Sequence, residues 1–158
     1  MTLANTLTKI LSDWKVTERT SIFTQDKESG WAVKLTADLC DSLGCRLIEA
    51  QLRQAQTVQE QDLQEWAEAV CQRASSALEP MNVIEIDVPR KEAILRSATP
   101  ITQDDKIFYF EIFLRGTRDV TFKKFEARFA SNFKRQQVSF VLTHDAVAKV
   151  LSAIVGAE

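Results

Sequence analysis

His144, the three cysteines Cys40, Cys45 and Cys71, and a scatter of carboxylates are the residues of this 158-residue chain whose types could carry chemistry. Three thiolates and one imidazole can hold zinc, but such a site needs four ligands converging tetrahedrally and is usually seeded by a close pair such as C-x2-C. Here the tightest spacing is Cys40-x4-Cys45, and Cys71 lies further along on a segment of helical character. Without a seed the three read as small, partly buried side chains, and neither a metal nor another cofactor is expected. His144 adjoins Asp145, but adjacent residues at a helix start point in different directions, and a nucleophile for the pair would have to come from elsewhere. His144 is read as an exposed first-turn residue, and no catalytic residue is assigned.

The carboxylates Glu85, Asp87, Asp104, Asp105 and Glu111 deserve the same test. Glu85 and Asp87 share strand parity, with Glu92 or Glu111 as possible neighbours, which would suit acid/base work or a hard cation. On the wet face of an antiparallel sheet the same acids instead pair with Arg90, Lys91 or Arg96, and that reading is preferred. The four glycines, Gly30, Gly44, Gly116 and Gly156, are isolated, which excludes phosphate-cradling loops of the usual kinds.

These residues need a frame. Leu3, Leu7, Ile10, Leu11 and Trp14 recur at helical spacing. Val16 to Thr24 is rich in β-formers. Trp31, Val33, Leu35, Ala37 and Leu39 alternate with Ala32, Lys34, Thr36 and Asp38, a strand period, and Cys45 to Leu52 can return as its partner. Thr57 and Glu60 fit a capping box for a helix carrying Leu63, Trp66, Val70, Ala74 and Ala77, closed by Pro80. Val83 to Val88 and Ala93 to Ser97 read as short strands.

Ile107 to Arg115 is the strongest strand, with Phe108, Phe110, Ile112 and Leu114 toward the core and Tyr109, Glu111 and Phe113 on the other side. Val138 to Thr143 is a further strand, and Thr143 can cap a last helix bearing Val147, Val150, Leu151 and Ile154. Between Asp119 and Arg135, Phe122, Phe125, Phe129 and Phe133 fall at spacings of three, four and four, which suits one helical stripe; read as a strand, the same rings split between the two faces, and of these two readings helix is preferred. The result is a single α+β domain over residues 1–158: a mostly antiparallel sheet packed against an N-terminal helix, a central helix at about 58–78 and a C-terminal helix.

The element order of helix, three strands, long helix, strands and terminal helix resembles the type III secretion chaperone-like fold, a group that includes the YbjN-like proteins. The chain departs from it by extra structure between Asp119 and Gln136. The resemblance implies a small, acidic, cytoplasmic, dimeric protein that binds partner polypeptides and has no catalytic site.

Charge points the same way. The formal net charge is −2, which gives no overall steering toward nucleic acid or acidic membranes. Residues 115–135 nevertheless hold seven basic side chains against two acids, and 36–92 hold eleven acids against five bases. Opposed patches of this kind suit self-association or a protein partner, and Tyr109 and Phe113, if uncovered, form an apolar contact surface.

The expected contact residues are Tyr109, Phe113, Arg115, Arg118, Lys123, Lys124 and Arg128. The function expected is a non-enzymatic protein-binding or chaperone-like module, a homodimer in the cytoplasm, with no membrane partner. Two alternatives carry different signatures. A nucleic-acid regulator would use the basic segment 115–135. A small-ligand carrier or enzyme would have a pocket under the sheet ringed by Glu85, Asp87, Arg96 or His144.

Overall fold

The computed structural model describes residues 2–59, 61–129, 132 and 134–158. It is α+β, with three helices on one face of a large antiparallel sheet. Helix α1 (Leu3–Ser12) leads into strands β1 (Thr20–Gln25), β2 (Trp31–Cys40) and β3 (Gly44–Gln54). Helix α2 (Leu63–Ala77) then crosses to the far side. Strands β4 (Met81–Asp87), β5 (Glu92–Ser97), β6 (Ile101–Gln103), β7 (Lys106–Arg115) and β8 (Asp119–Arg128) return toward the middle. Strands β9 (Gln136–Val138) and β10 (Phe140–Thr143) precede helix α3 (His144–Val155). The main path is β1-β2-β3-β8-β7-β5-β4, so β1 and β4 are its outer strands. Where β3 and β8 diverge, β9 pairs with β8 and β10 with β3, and the gap is closed by one short segment. The Gln137 amide reinforces the closure by donating to the Ile48 carbonyl at 2.9 Å.

Alternation explains which face is which. Phe110, Ile112 and Leu114 of β7 point toward the helices, Ile112 and Leu114 fully buried, while Tyr109, Glu111 and Phe113 lie on the opposite face. The helices answer with Leu3, Leu7 and Leu11 from α1, Trp66, Val70 and Ala74 from α2, and Val147, Leu151 and Ile154 from α3. These apolar stripes at helical spacing fill the space between the layers, and their removal from water is the main force holding the layers together. Thr143 caps α3 as expected, its Oγ1 accepting from Ala146 N–H at 3.1 Å, and Gly156 ends the helix in the left-handed conformation glycine favours. Arg73 of α2 donates to the last carbonyls of α3, Ala153 and Ile154.

Several expectations need correction. Residues 119–128 are strand β8, not helix: Asp119–Arg128 pairs along its length with β7. Phe122 therefore faces the helices and Phe125 the opposite side, Phe129 is exposed beyond the strand, and Phe133 lies outside the described residues. Helix α2 starts at Leu63, capped by Asp62, whose carboxylate accepts from Glu65 N–H at 3.0 Å; Thr57 is exposed and Glu60 lies outside the described residues. Leu39 is on the surface because the β2–β3 register shifts on either side of Ala37 and turns it outward.

The β1–β2 turn offers a pH test. Asp26, buried at the end of β1, accepts from Ser29 N–H at 3.0 Å. Burial alone would raise its carboxyl, but hydrogen bonds from the Ser29 hydroxyl and the Ser29 and Glu28 amides outweigh it and hold Asp26 below the ordinary carboxylate value. A depressed folded-state pKa gives stability that is present above the unfolded value and lost as pH falls through the folded one. Asp26→Asn should lower stability at neutral pH by about 1 kcal/mol. The gap to wild type in thermal midpoint should close as pH falls below about 4. A gap independent of pH would show that the charge is not what matters.

Candidate open-face binding surface

Among the described residues, all three helices pack on one face, and none covers the other face of the sheet. Antiparallel register sets its side chains in rows across the strands. One row runs Phe23, Lys34, Gln51, Thr121, Phe113, Ile94. On one side of it Arg53, Asp119, Arg115 and Glu92 alternate in sign. On the other side come Glu49, Lys123, Glu111 and Arg96. A stripe with aromatic rings at intervals is thus bordered by ladders of alternating charge.

Two zones follow. At the β8–β9 end the face is sealed. Glu111, only 6% exposed, takes hydrogen bonds on one oxygen from Arg96 Nε at 3.0 Å and Arg135 Nη1 at 2.9 Å. Arg135 also donates to the Tyr109 hydroxyl at 3.2 Å and lies 3.9 Å from the centre of the Phe125 ring, which stacks on Tyr109. Burial by itself would lower the Arg135 pKa, but the bonds to Glu111 and Tyr109 outweigh it and raise the group above its ordinary value. Further along, Phe23, Lys34, Gln51, Thr121, Phe113 and Arg115 line an open trough of about 840 Å³. There the Arg115 guanidinium sits over the Phe113 ring at 5.8 Å.

Of the expected contact residues, Tyr109, Phe113, Arg115 and Lys123 come together on this face. Three do not join them. Arg118 is in the β7–β8 turn and donates to the carbonyls of Gln54 and Gln56. Lys124 points to the opposite face over the rings of Phe108 and Phe110, and Arg128 shares its strand parity. Strand alternation divides what a helix would have gathered. Arg135 and Phe125 were absent from the expected set. Glu111 pairs with Arg96, and Asp87 with Arg90 at 3.8 Å, the acid–base pairing the sequence favoured.

The other chemistry-bearing residues stay apart. Cys40 and Cys45, both buried, face each other across the β2–β3 hairpin as a disulfide, with Cα atoms 4.2 Å apart, so packing alone describes only Cys71, whose thiol contacts the Met81 carbonyl. Among the described residues no three metal-ligating side chains are gathered. His144 is half-buried rather than exposed, because α3 starts against the β2–β3 turn, and its Nε2 is buried with no hydrogen-bond partner. Backbone N–H groups of Leu43 and Gly44, with His144 adding, hold the nearby Asp41 carboxyl below its ordinary value. Glu85 and Asp87 belong to the outer strand β4 and Arg96 to its neighbour β5, far across the sheet from His144. No helix among the described residues is long and apolar enough to cross a membrane. No protein-family model matches the chain, and no curated protein or solved structure does so either.

Proposed function

We propose that this chain is a non-enzymatic binding module that holds an extended stretch of a partner polypeptide in the trough of its open sheet face. The supporting observation is the row from Phe23 to Phe113 between two charge ladders. Aromatic rings there offer apolar area at low entropic cost, and the bordering charges alternate in sign, with Arg53–Asp119, Lys123–Glu49 and Arg96–Glu111 ion-paired, so they guide a partner's orientation more than they add affinity. The chaperone-like element order agrees with this reading, although a fold hosts many functions. The proposed setting is the cytoplasm, as the chaperone-like resemblance implies.

A fluorescently labelled, carboxymethylated and permanently unfolded polypeptide serves as the probe. Phe113→Glu should weaken its binding at least about tenfold, as expected for a central contact residue, with the thermal midpoint little changed. Equal binding by wild type and variant, or none by wild type, refutes the reading. The nucleic-acid alternative predicts the opposite pattern: binding to single-stranded RNA that falls steeply with salt and is lost when Lys123 and Lys124 become Glu.

A further inference from the structure

The two outer strands differ in how they end the sheet. β4 carries Glu85 and Asp87 and a register break between Val83 and Glu85, devices that discourage further pairing. β1 has none of these: it reads Thr-Ser-Ile-Phe-Thr-Gln, without charge, proline or break in register. Asp26 N–H donates to the Trp31 carbonyl at 3.0 Å. Counting back by two along an antiparallel ladder, Thr24, Ile22 and Thr20 bond to β2, and the amides and carbonyls of Ser21, Phe23 and Gln25 point away from the sheet. All three residues are exposed, Phe23 by 69%.

We propose that two copies of this chain join β1 to β1, antiparallel, about a two-fold axis through Phe23 and perpendicular to the sheet. That register is the one in which every outward amide and carbonyl of the strand finds a partner. Phe23 pairs with Phe23, and Ser21 with Gln25 of the second copy. Moving the axis to Ile22 or Thr24 leaves one strand end unpaired. A two-fold also makes the contact isologous, so it closes as a dimer and does not propagate.

Side chains agree with the geometry. On the open face the two Phe23 rings meet as a cross-strand aromatic pair. Each is flanked by its own Lys34 ammonium, 5.5 Å from the ring centre. On the helix side, Ile22 meets Thr24 of the second copy. Alongside lies an open groove of about 680 Å³ between α1 and β1, lined by Ile10, Trp14 and Ile22. Because the binding trough also ends at Phe23, dimerisation would make the two troughs one continuous surface. Beyond the strand ends this register sets Arg19 opposite Lys27 of the other copy, so added salt should tighten the dimer slightly.

Sedimentation equilibrium tests the proposal. Wild type should behave as twice 17.9 kDa. Phe23→Pro removes an N–H that the monomer does not use, a substitution an outer strand tolerates. It should raise the dimer dissociation constant on the order of 30- to 100-fold, the loss of the central hydrogen bonds and the ring pair. Phe23→Lys should weaken it similarly without touching the backbone. Phe23→Cys should cross-link on mild oxidation, since the paired Cα atoms would lie about 5.5 Å apart. Val141→Cys, equally exposed on β10, should not. A wild type that stays monomeric at its highest soluble concentration overturns the proposal. So does a dimer that all the Phe23 variants retain, or a monomer that takes an unrelated peptide onto β1. Phe113→Glu should leave the dimer intact, so failure of the binding-face reading and failure of this one are separable.

Discussion

Phe122→Ala should lower the unfolding free energy by about 4 kcal/mol and the thermal midpoint by roughly 8–16 °C. Phe122 is fully buried at the centre of the sheet, between Ala50 of β3 and Ile112 of β7 in register. Its ring contacts Phe110 at 5.3 Å and Phe140 at 5.2 Å. Strands bonded on both sides cannot close in on the space an alanine would leave, so the loss of transfer energy is joined by a cavity term. Phe129→Ala, on a side chain 64% exposed, should change stability by less than about 0.5 kcal/mol. The contrast is the point of the pair. A single helical stripe would make the two losses alike, whereas strand β8 makes them differ several-fold. Urea denaturation of both variants, with slopes unchanged from wild type, decides it; similar losses at the two positions would refute the β8 assignment.

The misreading of that segment has a physical source. Spacings of three and four fit a helix, while Val120, Thr121, Phe122 and Phe125 also suit a strand, so the segment taken alone does not decide. The strand forms because β7 offers a partner of equal length across a three-residue turn and β3 offers another on the far side. Strand preference depends on such neighbours more than helix preference does, and no window of sequence contains them. Strand β7 was legible because its own alternation of Phe110, Ile112 and Leu114 with Tyr109, Glu111 and Phe113 is unambiguous. At α2, Thr57-x-x-Glu60 and Asp62-x-x-Glu65 carry the same capping signal, and the choice between them is made by where Leu63 and Trp66 meet the core. Leu39 fell to a bulge, which shifts parity by one residue and leaves no mark in composition. The binding face was half legible for the same reasons. Parity placed Tyr109 and Phe113 together, but Arg135 reaches Glu111 across 24 residues, through a contact that only the folded sheet creates.

That contact supports the second large effect. Glu111→Ala should destabilise the fold by about 2–3 kcal/mol. The carboxylate is nearly inaccessible and holds two guanidiniums, so its removal leaves Arg96 and Arg135 facing each other with no charge between them. The value falls below that for a fully buried broken pair because the two arginine side chains are 36% and 39% exposed and can turn partly to water. Arg135→Ala should lose less, about 1–2 kcal/mol, since Arg96 still satisfies Glu111. A double-mutant cycle over Glu111 and Arg135 should therefore return clear coupling. That coupling should persist in high salt, where a cycle over the exposed pair Arg53 and Asp119, 3.5 Å apart, should return almost nothing. Strict additivity at Glu111 and Arg135 would mean the clamp contributes no stability of its own. If the coupling is present, it fixes the backbone of β7 two residues from Phe113. The trough then has a rigid floor on its sealed side, and a partner would be ordered against a surface that is already in place.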